Sequence, residues 1–173
     1  MTVEHYSDRH LESVLEQCRT IAMVGISNKL VRPSYFVGNY LRMQGYGVVP
    51  VNPVLAGERL FGGIGVADLS EIPESVGDVH MVDIFRRSDA ALPIVEQAIT
   101  HLANRGLKAI WMQIGVVNHA AASLARDHGL DVIMNRCPKM EYQRLSGELS
   151  RGGVNSGIIS SRRPRLTGRQ RQE

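Results

Sequence analysis

Scarcity narrows this chain first. Two cysteines, Cys18 and Cys137, stand far apart in 173 residues, with neither C-x-x-C nor metal-ligand spacing. A disulfide framework is therefore not indicated, and both are expected as thiols. No apolar run approaches the roughly 18 residues needed to cross a bilayer, and no basic leader precedes an apolar segment. A cytoplasmic protein without membrane insertion is expected. G-x-G-x-x-G is missing from the first glycine turn, where Gly25 is followed by ISNKLVRP, and no G-x-x-x-x-G-K-[ST] loop occurs. The dinucleotide and NTPase signatures thus lose their main support. Internal repeats and long linkers are also missing, and one domain is the expectation for this length and its 43% hydrophobic content.

The formal charge of +3 is unevenly held. Residues 1–150 carry 14 Lys and Arg against 16 Asp and Glu, whereas residues 151–173 carry 6 against 1. The basic excess lies in a Gly, Ser and Arg-rich tail with too few large apolar side chains for a core, expected to be mobile beyond Arg162. Its arginines have no aromatic neighbours to stack bases, so a solvated tail is favoured and no specific nucleic acid is predicted. The chain divides into a helical lead-in (1–19), an α/β body (20–150) and this tail (151–173).

What is present is organised around IAMVGI, a wholly apolar run that ends on Gly25. Such a run suits a parallel strand covered on both faces. A polar loop with Ser27, Asn28, Lys29 and Arg32 follows, then a helix opening at Pro33 and stopped by Gly45. Gly47 introduces a second strand, Val48–Val51, which ends at Asn52-Pro53. A right-handed β-α-β unit brings that end beside Gly25. Residues 56–73 suggest a short strand or irregular excursion and one helical turn. A third strand, Val79–Phe85, runs into Arg86-Arg87, with Ser88 or Asp89 expected to cap the next helix. Ala109–Ile114, ending at Gly115, is the fourth strand, followed by a helix capped by Asn118. Asp131–Asn135 is the fifth, leading to Arg136-Cys137-Pro138 and a closing helix through Met140, Tyr142 and Leu145.

Repeated β-α units with short connections predict a three-layer, Rossmann-like α/β fold, with a mainly parallel sheet and helices on both faces. Ligands of such sheets bind at the carboxyl ends of the strands. Guanidinium groups at Arg86 and Arg87 suit phosphate oxygens. Phosphate contact by at least one of them competes with a solvated charged corner, and the shared crevice favours contact. His80 is expected to be satisfied packing, and His119 a structural residue near a helix start. Met23, Met81, Met112 and Met134 are expected to pack the core. No catalytic constellation and no metal site is predicted.

The stretches IAMVGIS, RPSYFV, GYGVVPVNP, MVDIFRRS, IWMQIGVVN and NRCPKMEYQRL together resemble the small stand-alone CoA-binding-domain proteins. The fold of that family is similar to the CoA-binding domain of the succinyl-CoA synthetase alpha subunit. The resemblance implies a CoA or acyl-CoA ligand, with its phosphates near Gly25, Ser27, Asn28, Lys29 and Arg32 and its adenosine near Val51, Asn52 and Pro53. Asp83, Ile84, Phe85, Arg86, Arg87, Gln113 and Gly115 would complete the channel. The synthetase's lysine after its second strand is replaced here by PVLAG, so the 3'-phosphate would fall to Lys29, Arg32, Arg59 or another base. Nothing after Leu145 is long enough to supply ligase domains, and a noncatalytic binding protein is the leading reading. An NAD(P)-binding oxidoreductase and a ligand-responsive regulatory module, with a protein partner or a homo-oligomer, are the alternatives. The Cys-Pro pair belongs to the resembling pattern, and a buried structural Cys137 is favoured over a thiol that exchanges with CoA.

Overall fold

The computed structural model describes residues 4–148. Five strands, β1 (Thr20–Val24), β2 (Gly47–Val51), β5 (Met81–Ile84), β6 (Ala109–Met112) and β7 (Asp131–Ile133), form one parallel sheet in the order β2-β1-β5-β6-β7. Between β2 and β5 the chain makes an antiparallel pair of two-residue strands, β3 (Arg59–Leu60) and β4 (Gly63–Ile64), and three single 3-10 turns. Five helices complete the body: α1 (Asp8–Gln17), α2 (Pro33–Met43), α3 (Ala91–Leu102), α4 (His119–Asp127) and α5 (Pro138–Leu145). This is a three-layer Rossmann-like α/β fold.

Alternation along each strand divides the core between two faces. Ala22, Val49, Val82, Ile110 and Val132 pack with α3 and α4, while Ile21, Met23, Val48, Met81, Trp111 and Ile133 pack with α1, α2 and α5. Each strand therefore sends apolar side chains both ways, which is why the strands read as uninterrupted apolar runs. Trp111 is 0% exposed, and its indole Nε1 donates to the Arg136 carbonyl at 2.8 Å, tying the centre of the sheet to the start of α5. Met23, Met81 and Met112 in the strands and Met134 just past β7 are all buried, as core packing requires. The lead-in helix belongs to this core: Ser7 caps α1 by accepting from His10 N, and Leu11, Val14 and Leu15 are buried.

The strands are shorter than their apolar runs. Phe85, Ile114 and Asn135 lie beyond strand ends, and Ile114 is 60% exposed. Neither Ser88 nor Asp89 caps α3: a 3-10 turn over Ser88–Ala90 precedes the helix, whose N-cap position is Ala90 without a side-chain bond. The hydroxyl of Ser88 is drawn instead to Gly115 and Val117, and Asp89 to Arg87. Asn118 does cap α4, accepting from Ala121 N at 2.9 Å. Met140 of the closing helix faces outward, while Tyr142 and Leu145 are buried. No helix among the described residues is long and apolar enough to cross a membrane. The tail expectations fall outside the described residues.

Candidate functional site

The order of connections fixes where a site can form. The crossover from β1 leads to β2 on one side, and the chain then returns to place β5 on the other side of β1. The crevice of an open parallel sheet lies at such a reversal, outside the carboxyl ends of the two strands. Here those ends are Gly25 and Phe85-Arg86.

Gly25 has φ +86°, and a Cβ placed on it would lie 2.7 Å from Arg86 Cδ and 2.9 Å from the Phe85 carbonyl oxygen. Both the backbone conformation and the approach of the Arg86 stem demand glycine. The Gly25 amide is already committed, donating to the Val51 carbonyl at 2.8 Å. Donors for an incoming anion come from farther along the loop. Ser27 N donates to Ser34 Oγ at 3.1 Å and Lys29 N to Ser27 Oγ at 3.1 Å, which fixes the loop against the start of α2. The amides of Asn28, Leu30 and Val31 have no protein partner among the described residues. With the exposed Lys29 and Arg32 and the amino end of α2, they make a donor-rich rim suited to negative charge.

Asn52 locks this rim to the end of β2. Its Nδ2 donates to the Ile26 carbonyl at 2.8 Å while its Oδ1 accepts from Val54 N at 3.1 Å. Pro53 follows as the exposed first residue of a 3-10 turn. Across the loops, Asn28 Nδ2 donates to Glu58 Oε2 at 3.0 Å, so a carboxylate sits beside the basic residues. On the other wall, Ser88 Oγ donates to the Gly115 carbonyl at 3.3 Å and accepts from Val117 N at 3.0 Å; Asn135 Oδ1 accepts from Gly115 N at 2.8 Å. These bonds join the β5, β6 and β7 ends into one rim. A cleft of about 550 Å³ opens along Phe85, Arg86, Arg87, Asp89 and Ala90.

The structure does not expose every residue named from sequence. Gly25, Ser27, Asn28, Lys29, Arg32, Asn52, Pro53, Phe85, Arg86, Arg87 and Gly115 have surface at the carboxyl edge, whereas Val51, Asp83 and Ile84 are buried, and Gln113 nearly so at 7% exposure. Asp83 is 0% exposed, and both its oxygens accept from Gln113 Nε2 at 3.0 Å. Burial pushes its carboxyl up to about 8, against the opposing pull of the Gln113 bond. A neutral acid thus lies beneath the crevice floor at pH 7.

Both cysteines are buried thiols. Burial raises Cys137 above the ordinary thiol range and pushes Cys18 up to about 12, the opposite of what an exchanging thiol needs. His80 is a satisfied packing residue, since its Nδ1 accepts from Arg19 N at 3.3 Å and Thr20 N at 3.2 Å. The residues that sequence reasoning missed are Ser34, Glu58 and Asn135, together with the rim bonds of Ser88. Ser34 had a weak signal as a hydroxyl in the first helical turn, but no local pattern announces the other partners, which meet across loops.

Fold and crevice together define an open, doubly wound α/β protein with a crevice at the β1/β5 reversal. The chain belongs to the CoA binding domain family, whose model matches residues 19–143. It is similar to the uncharacterized protein YneT of Bacillus subtilis (strain 168), 29% identical over 140 residues covering 81% of this chain and 97% of that protein. A structure described as cell-free ID.343 from Thermus thermophilus matches at 32% identity and a TM-score of 0.71, over 80% of this chain and 98% of that one. A hypothetical protein from Pyrococcus horikoshii OT3 matches at 30% identity and a TM-score of 0.72, over 84% and 99%.

Proposed function

We propose that this chain binds coenzyme A or an acyl-CoA across the carboxyl ends of β1, β2, β5 and β6 and carries out no turnover on it. The observation that carries the reading is the coincidence of family membership with a basic, amide-rich rim at the sheet's reversal point. Lys29, Arg32 and Arg86 supply positive charge on two sides of the crevice, which suits a ligand whose phosphates are spread along its length. A holding role is supported by the raised, buried Cys137 thiol, a poor nucleophile beside a thioester. Buried free thiols also suit a cytoplasmic setting.

Calorimetry with CoA, acetyl-CoA, dephospho-CoA, NAD and NADP tests the reading. CoA and acetyl-CoA are expected to bind with one-to-one stoichiometry, and dephospho-CoA more weakly if a base reads the 3'-phosphate. Nicotinamide dinucleotides bound in strong preference to CoA would overturn it.

A further inference from the structure

We propose that the two arginines at the end of β5 have different tasks: Arg86 reads the ligand's phosphate charge, while Arg87 neutralises Asp89 at the cleft mouth. The proposal rests on the CoA reading and goes on to assign a specificity-determining residue within it. Sequence treats the pair as equivalent, and geometry does not. The guanidinium of Arg87 is held by Asp89, its Nε donating to Oδ1 at 3.3 Å and its Nη2 to Oδ2. That interaction keeps Asp89 low and Arg87 charged but spent. Arg86 has no carboxylate partner among the described residues, although it lines the same cleft. Its stem crosses the Gly25 turn at a distance that only glycine permits, which carries its charge toward the β1 end of the crevice. The loop of Lys29 and Arg32 begins there, so an anion at that place meets cations from two sides. Asp89 would repel such an anion if it stood alone, and Arg87 cancels it.

Substitutions at Arg86 separate charge from packing. Arg86→Met keeps an unbranched stem over Gly25 and removes the charge; Arg86→Lys keeps the charge and loses the planar fork. With CoA as the calorimetric probe, Arg86→Ala and Arg86→Met are each expected to lose roughly tenfold or more in affinity, as for a charge-assisted hydrogen bond. Arg86→Lys falls between these and the unmodified protein, and Arg87→Ala, which leaves the Asp89 carboxylate uncompensated, loses about threefold, because that carboxylate is exposed and solvent screens its repulsion. The salt dependence of CoA binding also becomes shallower in Arg86→Met. Thermal melts report whether each variant is folded, and both side chains are exposed enough for folding to persist. Wild-type affinity in Arg86→Met would assign Arg86 to packing and overturn the proposal. So would a loss in Arg87→Ala equal to that in Arg86→Ala. Failure of the unmodified protein to bind CoA would overturn both this assignment and the reading beneath it.

Discussion

Replacing Asp83 by Asn should stabilise the protein, and the gain should grow with pH. The carboxyl is fully buried, among the described residues its hydrogen-bond partner is the Gln113 amide, and its pKa moves from an ordinary 3.8 to about 8. A raised carboxyl pKa means that the folded chain keeps a proton which the unfolded chain releases above pH 4. Stability is therefore full below about pH 4, falls as pH rises, and levels off once the folded group also ionises near pH 8. At about 1.4 kcal/mol per pH unit, the cost at pH 7 is about 4 kcal/mol. Asn has nearly the same shape, needs no proton and can still pair with Gln113. A gain of about 2 to 4 kcal/mol at pH 7 follows, or roughly 5 to 15 °C in Tm for a domain of this size. Urea melts of both proteins at pH 4.5, 6, 7.5 and 9 give the difference directly. It should be small at pH 4.5 and largest at and above pH 8. A difference that does not vary with pH, or a loss of stability at pH 8, would refute the reasoning.

Other consequences are independent of that group. His80 is held neutral by burial and by nearby Lys108, with its Nδ1 accepting two amides, so its pKa is depressed. Its contribution is present above the unfolded value near 6.5 and is lost as pH falls below it; a His80→Gln variant should show less acid destabilisation between pH 6.5 and 5 in chemical denaturation. Gly25→Ala combines a positive φ with close contact to Phe85 O and Arg86 Cδ, and should cost about 2 kcal/mol or more by equilibrium melting. Asn118→Ala removes the α4 cap and the 2.9 Å bond from Asn118 Nδ2 to the Ser88 carbonyl. A loss of about 1 to 2 kcal/mol is expected, read from the fluorescence of Trp111, the sole tryptophan.

The layers were legible because the strands are apolar throughout and the helices carry separate caps and stops. Pro33, Gly45, Asn118 and Gly129 each sit where local chemistry places an element boundary. Strand ends were overextended because Phe85 and Ile114 are apolar for other reasons: Phe85 packs against the core from outside β5, and Ile114 lies exposed on the rim. The α3 cap was misplaced because Ser88 bonds across the fold to Gly115 and Val117, and Asp89 pairs with its neighbour Arg87, so neither caps the helix start. That the strand ends share one edge could be expected from sequence, since repeated β-α units imply a parallel sheet, but the reversal beside β1 could not, because it depends on the spatial order of the strands. The different settings of Arg86 and Arg87 could not be expected either, because they depend on which guanidinium meets Asp89 and whose stem lies against Gly25.

A structure of the protein soaked in CoA tests the central claim most directly. The account predicts CoA lying across the carboxyl ends of the sheet, touching both the Ser27–Arg32 loop and Arg86. CoA seated elsewhere on the surface, or none bound under saturating conditions, would contradict it.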